Sequence, residues 1–438
     1  MQVASGAAPI DLVDDGRLGF AQVRVIGLCA IIALLDGFDT QAIGFVAPVI
    51  SAQWQVPVAQ FGPVFALGLF GGLLGALLFG AVADRFGRRF TLLVTVTLFA
   101  AGSLSTTVAT SLTDLTIYRF VTGIGLGGAM PSIIALTSEY APARRRTTLV
   151  AAMFCGFPLG AVIGAIVSAQ LMGRYGWTSV FLVGGVLPLA LLPVLAMRLP
   201  ESVGWLLARG RRAEADRILA GMGKAPLPAD AHARLQAPPK ASFASLFTRG
   251  RAAGSLLLAM IFFISLLLVY LLVSWVPAMA VATGQSERAG VIAAALLNFS
   301  GILGSLLIGW LGDRRGTYRA VGGAYMLGAC GVGIIALTGA DGSIFLFCAI
   351  AGLLCVGAQV CAVSIASQYY PLEARGTGIG WSMGMGRLGA ICGPLAGASL
   401  IGQGGGTALF QLVALLSALA GALTLLMGFL YRLNRHDA

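Results

Sequence analysis

Charge and histidine are scarce in this sequence. Asp, Glu, Lys and Arg make up 10% of the 438 residues, whereas hydrophobic residues make up 58%. A chain with so little charge cannot hide its apolar surface in a soluble fold, so the composition excludes a soluble globular protein. The two histidines, His232 and His436, stand near no cysteine or carboxylate pattern with metal-ligand spacing. We therefore expect no metal site.

Cysteine pairs and phosphate-binding motifs are also missing. The seven cysteines show no Cys-x-x-Cys spacing and lie within apolar stretches, where we expect them to pack as small side chains. No glycine-rich stretch carries the Lys and Ser or Thr of a phosphate-binding loop, which disfavours ATP-driven activity. These absences predict that the protein is not an enzyme.

What the sequence does contain is a series of long apolar stretches. A helix needs roughly 20 residues to cross the hydrocarbon of a bilayer, and twelve stretches reach about that length. They predict an all-α polytopic membrane protein with twelve transmembrane helices in two pseudo-symmetric six-helix bundles. The predicted spans are residues 22–50, 58–82, 90–110, 114–139, 146–170, 177–198, 253–282, 288–311, 318–338, 344–369, 376–401 and 406–431.

A long non-apolar segment separates the first six spans from the last six. We expect an N-terminal six-helix bundle at 1–198, a cytoplasmic linker loop at 199–252 and a C-terminal six-helix bundle at 253–438. Within the linker, the stretch 203–222 is rich in Ala, Arg and Leu and predicts an amphipathic helix. This helix is expected to pack on the lipid surface, and regulation by a partner is the alternative.

The basic residues predict the orientation, because Lys and Arg accumulate in the short cytoplasmic loops of membrane proteins. With both termini inside the cell, 24 of the 28 fall on the cytoplasmic side. Only Arg174 and Arg288 fall outside, and Arg119 and Arg387 lie within spans. The net charge of +11 is then explained by orientation and by contact with anionic lipid, so we expect a lipid bilayer as partner and no nucleic acid.

The two halves share a repeated pattern. Several residues of the first half recur in the second half at the same displacement along the chain, which indicates a duplicated six-helix unit. Such a duplication is typical of transporters whose substrate binds near the bilayer midplane, between the halves. Displaced by 229 residues, Gly80, Asp84, Arg85 and Gly87 recur as Gly309, Asp313, Arg314 and Gly316, and Gly160 and Gly164 recur as Gly389 and Gly393.

Two acidic residues lie within the first predicted span. Asp36 and Asp39 are the only charges between Val25 and Ile50. A carboxylate at the centre of a bilayer costs about 2.5 to 3.5 kcal/mol, so it is expected to face a protein interior or a watery cavity. Positions i and i+3 share a helix face. We therefore expect both side chains to line one cavity and to compete for one proton.

Two arginines also lie within predicted spans. Arg387 is about twelve residues from Arg375 and about fourteen from Ile401, which places it near mid-membrane. It is expected to meet a substrate anion or an aspartate, and a purely structural ion pair is the alternative. Arg119 is about five residues from Asp114 at the outer end of its span. Snorkelling of its side chain to the interface is therefore an alternative to a role in the cavity.

Residues 80–89, between the second and third spans, resemble the cytoplasmic signature loop of the major facilitator superfamily. Residues 119–128 resemble its pattern of an arginine followed by glycines, and that arginine is associated with proton coupling. The acid and arginines of the loop can form a clasp between helices that holds one gating state. The gating candidates are Gly80, Asp84, Arg85, Gly87, Arg88, Glu139, Arg144, Asp313 and Arg314.

Residues 35–48 of the first span resemble the aromatic acid:proton symporter family of that superfamily. Further likeness lies in residues 127–131, 138–140, 154–157, 199–202, 270–277 and 386–390. The resemblance implies uptake of aromatic carboxylates such as 4-hydroxybenzoate or protocatechuate across the bacterial inner membrane by alternating access. The proton gradient would drive uptake, with no cofactor and no obligate protein partner. A carrier for sugars, drugs or other organic anions, and a membrane sensor that does not transport, are the alternatives.

An aromatic acid needs a cation for its carboxylate, an apolar pocket for its ring, and polar groups that sense the ring substituents. We assign proton coupling to Asp36, Asp39 and Arg119. Tyr270 is a further aromatic candidate for the pocket. The candidate substrate-binding residues are Arg387, Arg119, Asp39, Phe38, Gln41, Phe157, Trp275, Asn298, Gln359 and Trp381.

Overall fold

The computed structural model describes residues 18–142, 145–222, 243–248, 251–338, 344–370, 374–401 and 406–436. Within these ranges the regular secondary structure is helical, with short connections between the helices and no strand, as the sequence predicts. The helices of the first half are α1 (Phe20–Trp54), α2 (Gly62–Phe86), α3 (Arg88–Thr106), α4 (Leu112–Tyr140), α5 (Arg146–Phe154), α6 (Gly156–Tyr175) and α7 (Thr178–Arg198).

Two short helices follow, α8 (Val203–Ala208) and α9 (Arg212–Gly221), and the second half begins after them. In its tenth span, a π-helical turn at Ala351–Val356 joins two α-helices. The helices of the second half are α10 (Ala252–Ala282), α11 (Glu287–Arg315), α12 (Thr317–Thr338), α13 (Ile344–Ile350), α14 (Gly357–Tyr369), α15 (Arg375–Ile401) and α16 (Gly406–His436).

Eleven helical segments in the described part of the chain are long and apolar enough to cross a membrane. The remaining predicted span, 376–401, forms the 27-residue helix α15, whose eight glycines and Arg387 lower its hydropathy. Large apolar side chains project outward from the spans, with Leu77 and Leu306 each 67% exposed. Such side chains are compatible with hydrocarbon and not with water, so the outer surface of the helices faces lipid.

The fifth span is interrupted at Cys155, between α5 and α6. Pro158 follows three residues later and has no backbone N–H, so the hydrogen-bond ladder cannot run unbroken through this turn. The helix resumes at Gly156 and runs on to Tyr175. This local break leaves the span complete, since residues 148–175 together are long enough to cross a bilayer.

The repeat in the sequence reappears in the packing. In the first half, α1 packs on α6, α2 packs on α4 and α3 packs on α7. In the second half, the corresponding pairs are α10 with α15, α11 with the tenth span and α12 with α16. A Cβ at Gly160 would overlap the Leu34 carbonyl, and one at Gly389 would overlap the Phe263 carbonyl. Gly389 and Phe263 lie 229 residues after Gly160 and Leu34 respectively, so the two halves contain the same close approach between helices.

The linker stretch 203–222 differs from the single helix predicted for it. Gly210 has a φ of +71° and separates α8 from α9, because a left-handed residue ends a helix. Leu206 and Leu219 are buried in one cluster with Leu136 of α4, so the apolar face packs on protein instead of on lipid. The division of the chain at residues 199 and 252 remains a prediction.

The exposed side of α9 carries charge. Arg211 forms an ion pair of 2.6 Å with Glu214. Hydrogen bonds from Arg211 hold the pKa of the Glu214 carboxyl below its usual value. Since both groups are on the surface, we attribute little stability to this pair.

The ends of the spans define two faces. We name the face that carries the turns at residues 84–88 and 313–316, together with α8 and α9, the charged face. The other we name the opposite face. There, Phe65 of α2 packs edge to face on Trp275 of α10, with ring centroids 5.2 Å apart. Arg174 and Arg288, which the sequence assigns to the outside, line a common pocket on this face. The two halves are therefore in contact on the opposite face.

Candidate functional site

The first feature of the site is a buried ion pair between α1 and α4. Arg119 Nη2 lies 2.7 Å from Asp39 Oδ2 and also donates to the Asp39 main-chain oxygen at 3.0 Å. Arg119 is 4% exposed and Asp39 is 0% exposed. The snorkelling alternative therefore does not describe Arg119, whose guanidinium turns into the helix bundle and lies 5.3 Å from the ring of Phe181.

The second oxygen of the Asp39 carboxylate has a different partner. Ser103 Oγ of α3 donates to Asp39 Oδ1 at 2.7 Å. The same hydroxyl lies 3.2 Å from the carbonyl oxygen of Phe181 in α7. Asp39 is thus held by groups from α3 and α4, inside the first half of the protein, and charge-assisted hydrogen bonds reach both of its carboxylate oxygens.

Asp36 has different surroundings, although it lies only one turn before Asp39. It is 4% exposed and accepts a hydrogen bond of 2.9 Å from Thr40, on its own helix. No ion pair is found for it in the part of the chain that the structure describes. The sequence predicts that the two aspartates share one cavity and one proton, and this stays a prediction. Among the described residues their carboxylates have separate hydrogen-bond partners, and an ion pair is found for Asp39 but not for Asp36.

Arg387 lies at the seam between the two halves. Its Nη1 donates to the carbonyl oxygen of Gly72 in α2, at 3.1 Å, and its side chain is half-buried. Asp36 and Tyr270 are close enough to interact with it electrostatically. Arg387 contributes a mid-depth cation where α15 packs on α2 and α10, and it is not the partner of Asp39.

A pair of amides also joins the halves. Gln41 Nε2 donates to Asn298 Oδ1 at 3.0 Å, and Asn298 Nδ2 donates back to Gln41 Oε1 at 2.9 Å. Both residues are buried, at 2% and 6% exposure. Two reciprocal hydrogen bonds across a seam fix the relative positions of α1 and α11, and separating the halves there would leave buried polar groups unpaired.

The remaining substrate-binding candidates lie in mixed surroundings. Phe38 is buried against Gly164 and Gly184, within the first half. Trp275 is fully buried and donates to the Pro394 carbonyl at 2.9 Å. Trp381 packs edge to face on Phe247. Phe157 and Gln359 are half-buried.

A polar network on the charged face contains several of the gating candidates. Asp84 of α2 pairs with Arg88 of α3 at 2.9 Å. Glu201 accepts hydrogen bonds from the backbone N–H groups of Arg88 and Arg89, at 2.7 and 3.2 Å. A carboxylate at the first turn of a helix satisfies free N–H groups and complements the helix dipole. The network thus ties the start of α3 to the end of α7.

Glu139 and Gly87 belong to the same network. Glu139 accepts a hydrogen bond of 2.7 Å from Ser202, which in turn caps the N-terminus of α8. Gly87 has a φ of +97°, and a Cβ at this position would overlap the Glu201 carboxylate. Glycine is required here both for the left-handed turn and for the close approach.

The second half carries the repeated turn with fewer contacts. Gly316 has a φ of +92°, like Gly87. Arg314 lies over the ring of Trp310 at 4.2 Å, and Asp313 is exposed. Of the other gating candidates, Gly80 has no neighbouring atom within 4 Å of a Cβ position. Arg85 accepts a hydrogen bond from Arg209 through its carbonyl, and Arg144 lies outside the described residues.

Several residues of the site were not predicted. Ser103 and Thr40 bind the two aspartates, and the Gly72 carbonyl binds Arg387. A serine or a main-chain carbonyl has no spacing pattern that marks it in a sequence. Glu201 and Ser202 could have been found from the sequence, because they lie in one of the stretches that resemble the symporter family. That resemblance alone did not indicate that the two residues connect α3, α4 and α7.

The chain is similar to a known family and to known proteins along most of its length. The model of the Major Facilitator Superfamily matches residues 29–365. The chain is 40% identical to the 4-hydroxybenzoate transporter PcaK of Pseudomonas aeruginosa over 416 residues, which cover 93% of this chain and 92% of the relative. It is 39% identical to the gallate transporter of Pseudomonas putida, with 96% of this chain and 95% of the relative covered.

A solved structure supports the fold independently. The chain superposes on the xylose transporter XylE of E. coli, in a partially occluded inward open conformation, with a TM-score of 0.71. The superposition covers 92% of this chain and 98% of XylE, at 18% identity. At this level of identity, the likeness shows a shared fold and says nothing about the substrate.

Proposed function

The chain belongs to the Major Facilitator Superfamily, and within it we propose a proton-coupled symporter that takes up aromatic carboxylates such as hydroxybenzoates by alternating access. The family and the names of the relatives indicate a multi-pass membrane transporter rather than an enzyme. The names of its relatives support the substrate class, since they include transporters of 4-hydroxybenzoate and gallate. Both are aromatic rings that carry one carboxylate and at least one hydroxyl.

The observation that carries the proposal is the separation of two charged centres within the membrane spans. The Asp39–Arg119 pair is buried inside the first half, whereas Arg387 lies at the seam with one hydrogen bond to Gly72. Charged groups within a membrane span are costly, and they are retained where they bind ions, protons or substrate. The first centre suits a proton, and the second suits the carboxylate of a substrate.

Groups at the seam between the two halves suit an aromatic acid. The guanidinium can form two parallel hydrogen bonds with a carboxylate, and to do so it would release the Gly72 carbonyl. Tyr270 supplies an aromatic ring close to Arg387. The amide pair of Gln41 and Asn298 provides donors and acceptors that can recognise ring hydroxyls. The proposed substrate thus engages residues from both halves of the protein.

The proposed cycle couples the two centres. From the outside, a proton binds Asp39 or Asp36 and the carboxylate of the substrate binds Arg387. One proton with one monovalent anion moves no net charge, so the loaded cavity is neutral. The halves then rock about the site, the clasp at Asp84 and Arg88 rearranges, and proton and substrate leave on the other side.

We further propose that the charged face lies in the cytoplasm, with both termini, and that the protein is in the inner membrane of a bacterium. The 24 basic residues assigned to that side support the orientation. The proton gradient supplies the energy, so the proposal requires no cofactor and no protein partner. The proposed domain boundaries are those predicted from the sequence, with one six-helix bundle before the linker and one after it.

The test is uptake of radiolabelled 4-hydroxybenzoate into proteoliposomes that contain the purified protein. We expect accumulation under an inward proton gradient, its loss with a protonophore, and competition by unlabelled protocatechuate and gallate but not by xylose. Arg387→Gln serves as the variant for comparison, because it removes the positive charge at the seam and replaces it with a neutral amide. Uptake that ignores the gradient would refute proton coupling, and competition by xylose but by no aromatic acid would refute the substrate class.

A further inference from the structure

We propose that Ser103 is a positioning residue for the proton site, because its hydroxyl can stabilise Asp39 in both protonation states. The hydroxyl donates to the ionised carboxylate and, after rotation, accepts from the protonated one. This inference rests on the proposed proton coupling, and it adds the group that makes reversible protonation of a fully buried carboxylate feasible.

The geometry gives the Ser103 hydroxyl two acceptors. Its oxygen lies 2.7 Å from Asp39 Oδ1 and 3.2 Å from the Phe181 carbonyl oxygen. A serine hydroxyl has only one hydrogen. While Asp39 is ionised, that hydrogen goes to the carboxylate, since a charge-assisted hydrogen bond is about twice as strong as a neutral one. The shorter of the two distances agrees with this choice.

Protonation of Asp39 reverses the direction of this bond. Asp39 Oδ2 is occupied by Arg119, so an incoming proton binds Oδ1, on the side of Ser103. The new O–H donates to Ser103 Oγ, and the serine hydrogen rotates to the Phe181 carbonyl. One proton is gained by Asp39, no covalent bond of the serine is broken, and Asp39 Oδ1, Ser103 Oγ and the Phe181 carbonyl each keep a hydrogen-bond partner, which buried groups require.

The surroundings leave this task to Ser103. Ser103 is 0% exposed. A Cβ at Gly184 of α7 would lie 3.0 Å from Ser103 Oγ and 3.2 Å from Asp39 Oδ1, so α7 closes directly over the bond. Arg119 from α4 forms an ion pair with Asp39, and Asp36, one turn earlier on the same helix, interacts with it electrostatically. The two elements α3 and α7 present the serine hydroxyl, the Phe181 carbonyl and Gly184.

Arg119 remains tethered throughout the exchange. Its Nη2 binds the Asp39 main-chain oxygen as well as Oδ2, so neutralising the carboxylate weakens one bond and keeps the other. Its Nη1 is buried without a hydrogen-bond partner among the described residues. The proton therefore changes the charge at Asp39 without releasing the arginine from α1, and Ser103 absorbs the rearrangement.

The test measures exchange of 4-hydroxybenzoate across proteoliposomes at equal pH on both sides, as a function of that pH. In a symporter the loaded carrier is protonated, so exchange falls as the pH rises through the titration of the coupling group. For Ser103→Ala we expect the pH of half-maximal exchange to rise by about one unit, because the ionised form loses the stronger bond. Ser103→Cys, a weaker donor of similar size, should give a smaller rise.

Thr106→Ala is the matched control. Thr106 lies one turn further along α3, is equally buried, and donates only to the Gly102 carbonyl of its own helix. It should keep the wild-type midpoint. Should Ser103→Ala not fold, as judged by size-exclusion chromatography in detergent, Ser103→Cys alone decides the question. An unchanged midpoint in the folded Ser103 variants, or an equal shift in Thr106→Ala, would overturn the role of Ser103.

The same data separate this inference from the proposed function. If wild-type exchange takes place but does not depend on pH, proton coupling itself is refuted and the role of Ser103 falls with it. If wild-type exchange depends on pH, Asp39→Asn loses that dependence, and the Ser103 variants do not shift it, only the inference about Ser103 fails.

Discussion

Removing the charge of Asp39 should be far more damaging than removing that of Asp36. Asp39 is 0% exposed and its partner Arg119 is 4% exposed, so salt and water screen the pair very little. Asp39→Asn would leave the guanidinium buried and uncompensated, and its Nη1 already has no hydrogen-bond partner within the described part of the chain. Breaking a buried ion pair in this way costs about 3 to 5 kcal/mol.

Asp36→Asn is the matched comparison, because it makes the same chemical change one turn away on the same helix. Asp36 is held by the Thr40 hydroxyl, which can donate equally well to the amide oxygen of an asparagine. We expect a loss of about 1 kcal/mol or less. The double variant Asp39→Asn with Arg119→Gln removes the lone charge and should recover at least about 2 kcal/mol relative to Asp39→Asn.

These free energies of unfolding can be measured by titrating the purified protein with a denaturing detergent in mixed micelles, followed by tryptophan fluorescence. The same variants are then tested for transport, where Asp39→Asn should lose gradient-driven accumulation and retain exchange. Equal destabilisation by the two Asp→Asn variants, or a double variant whose loss is the sum of the two single losses, would refute the assignment of Asp39–Arg119 as the energetically coupled pair.

Three further predictions follow from other contacts. Arg387→Gln should raise the KM for 4-hydroxybenzoate uptake by about 10- to 100-fold, as expected for the loss of a charge-assisted hydrogen bond; an unchanged KM would place the carboxylate elsewhere. Gly160→Ala should destabilise the protein by about 1 to 3 kcal/mol in a thermal-shift assay, because its Cβ overlaps α1. Gly27→Ala, with no atom within 4 Å, should not, and equal losses would contradict the close approach. Asn298→Ala leaves Gln41 without its amide partner at the seam. A cysteine placed on the opposite face should then be labelled more by an impermeant maleimide. Unchanged labelling would show that the amide pair does not hold the halves closed.

The sequence was sufficient to predict the architecture, because the length of an apolar stretch and the positions of charges are properties of neighbouring residues along the chain. Twelve stretches of about 20 residues predicted twelve spans, and eleven helical segments of the described chain meet the criteria for crossing a membrane. The displacement of 229 residues predicted a duplicated unit, and the contacts of Gly160 and Gly389 repeat with it. The predicted single linker helix was wrong, because the left-handed Gly210 splits it into two.

The site could be predicted only as a set of residue types. That Asp36, Asp39, Arg119 and Arg387 are unusual follows from the cost of charge in a bilayer, which the sequence alone shows. Helical spacing suggested that the two aspartates act together, since it fixes only which side of α1 they share. It carries no information about the neighbouring helices that supply their partners.

Which charge meets which partner was decided by the tertiary structure. Asp39 lies 80 residues from Arg119 and 64 from Ser103 along the chain, and no local pattern links them. Their contact depends on how α1, α3, α4 and α7 pack, and that packing is set by glycines and small side chains along whole helix faces. The sequence by itself determined a duplicated twelve-span transporter with buried charges, because burial in lipid is costly for every charged residue wherever it lies. Only the assembled helices decided that Asp39 is paired with Arg119 while Arg387 remains at the seam, because an ion pair forms only between groups that the packing brings within a few ångströms.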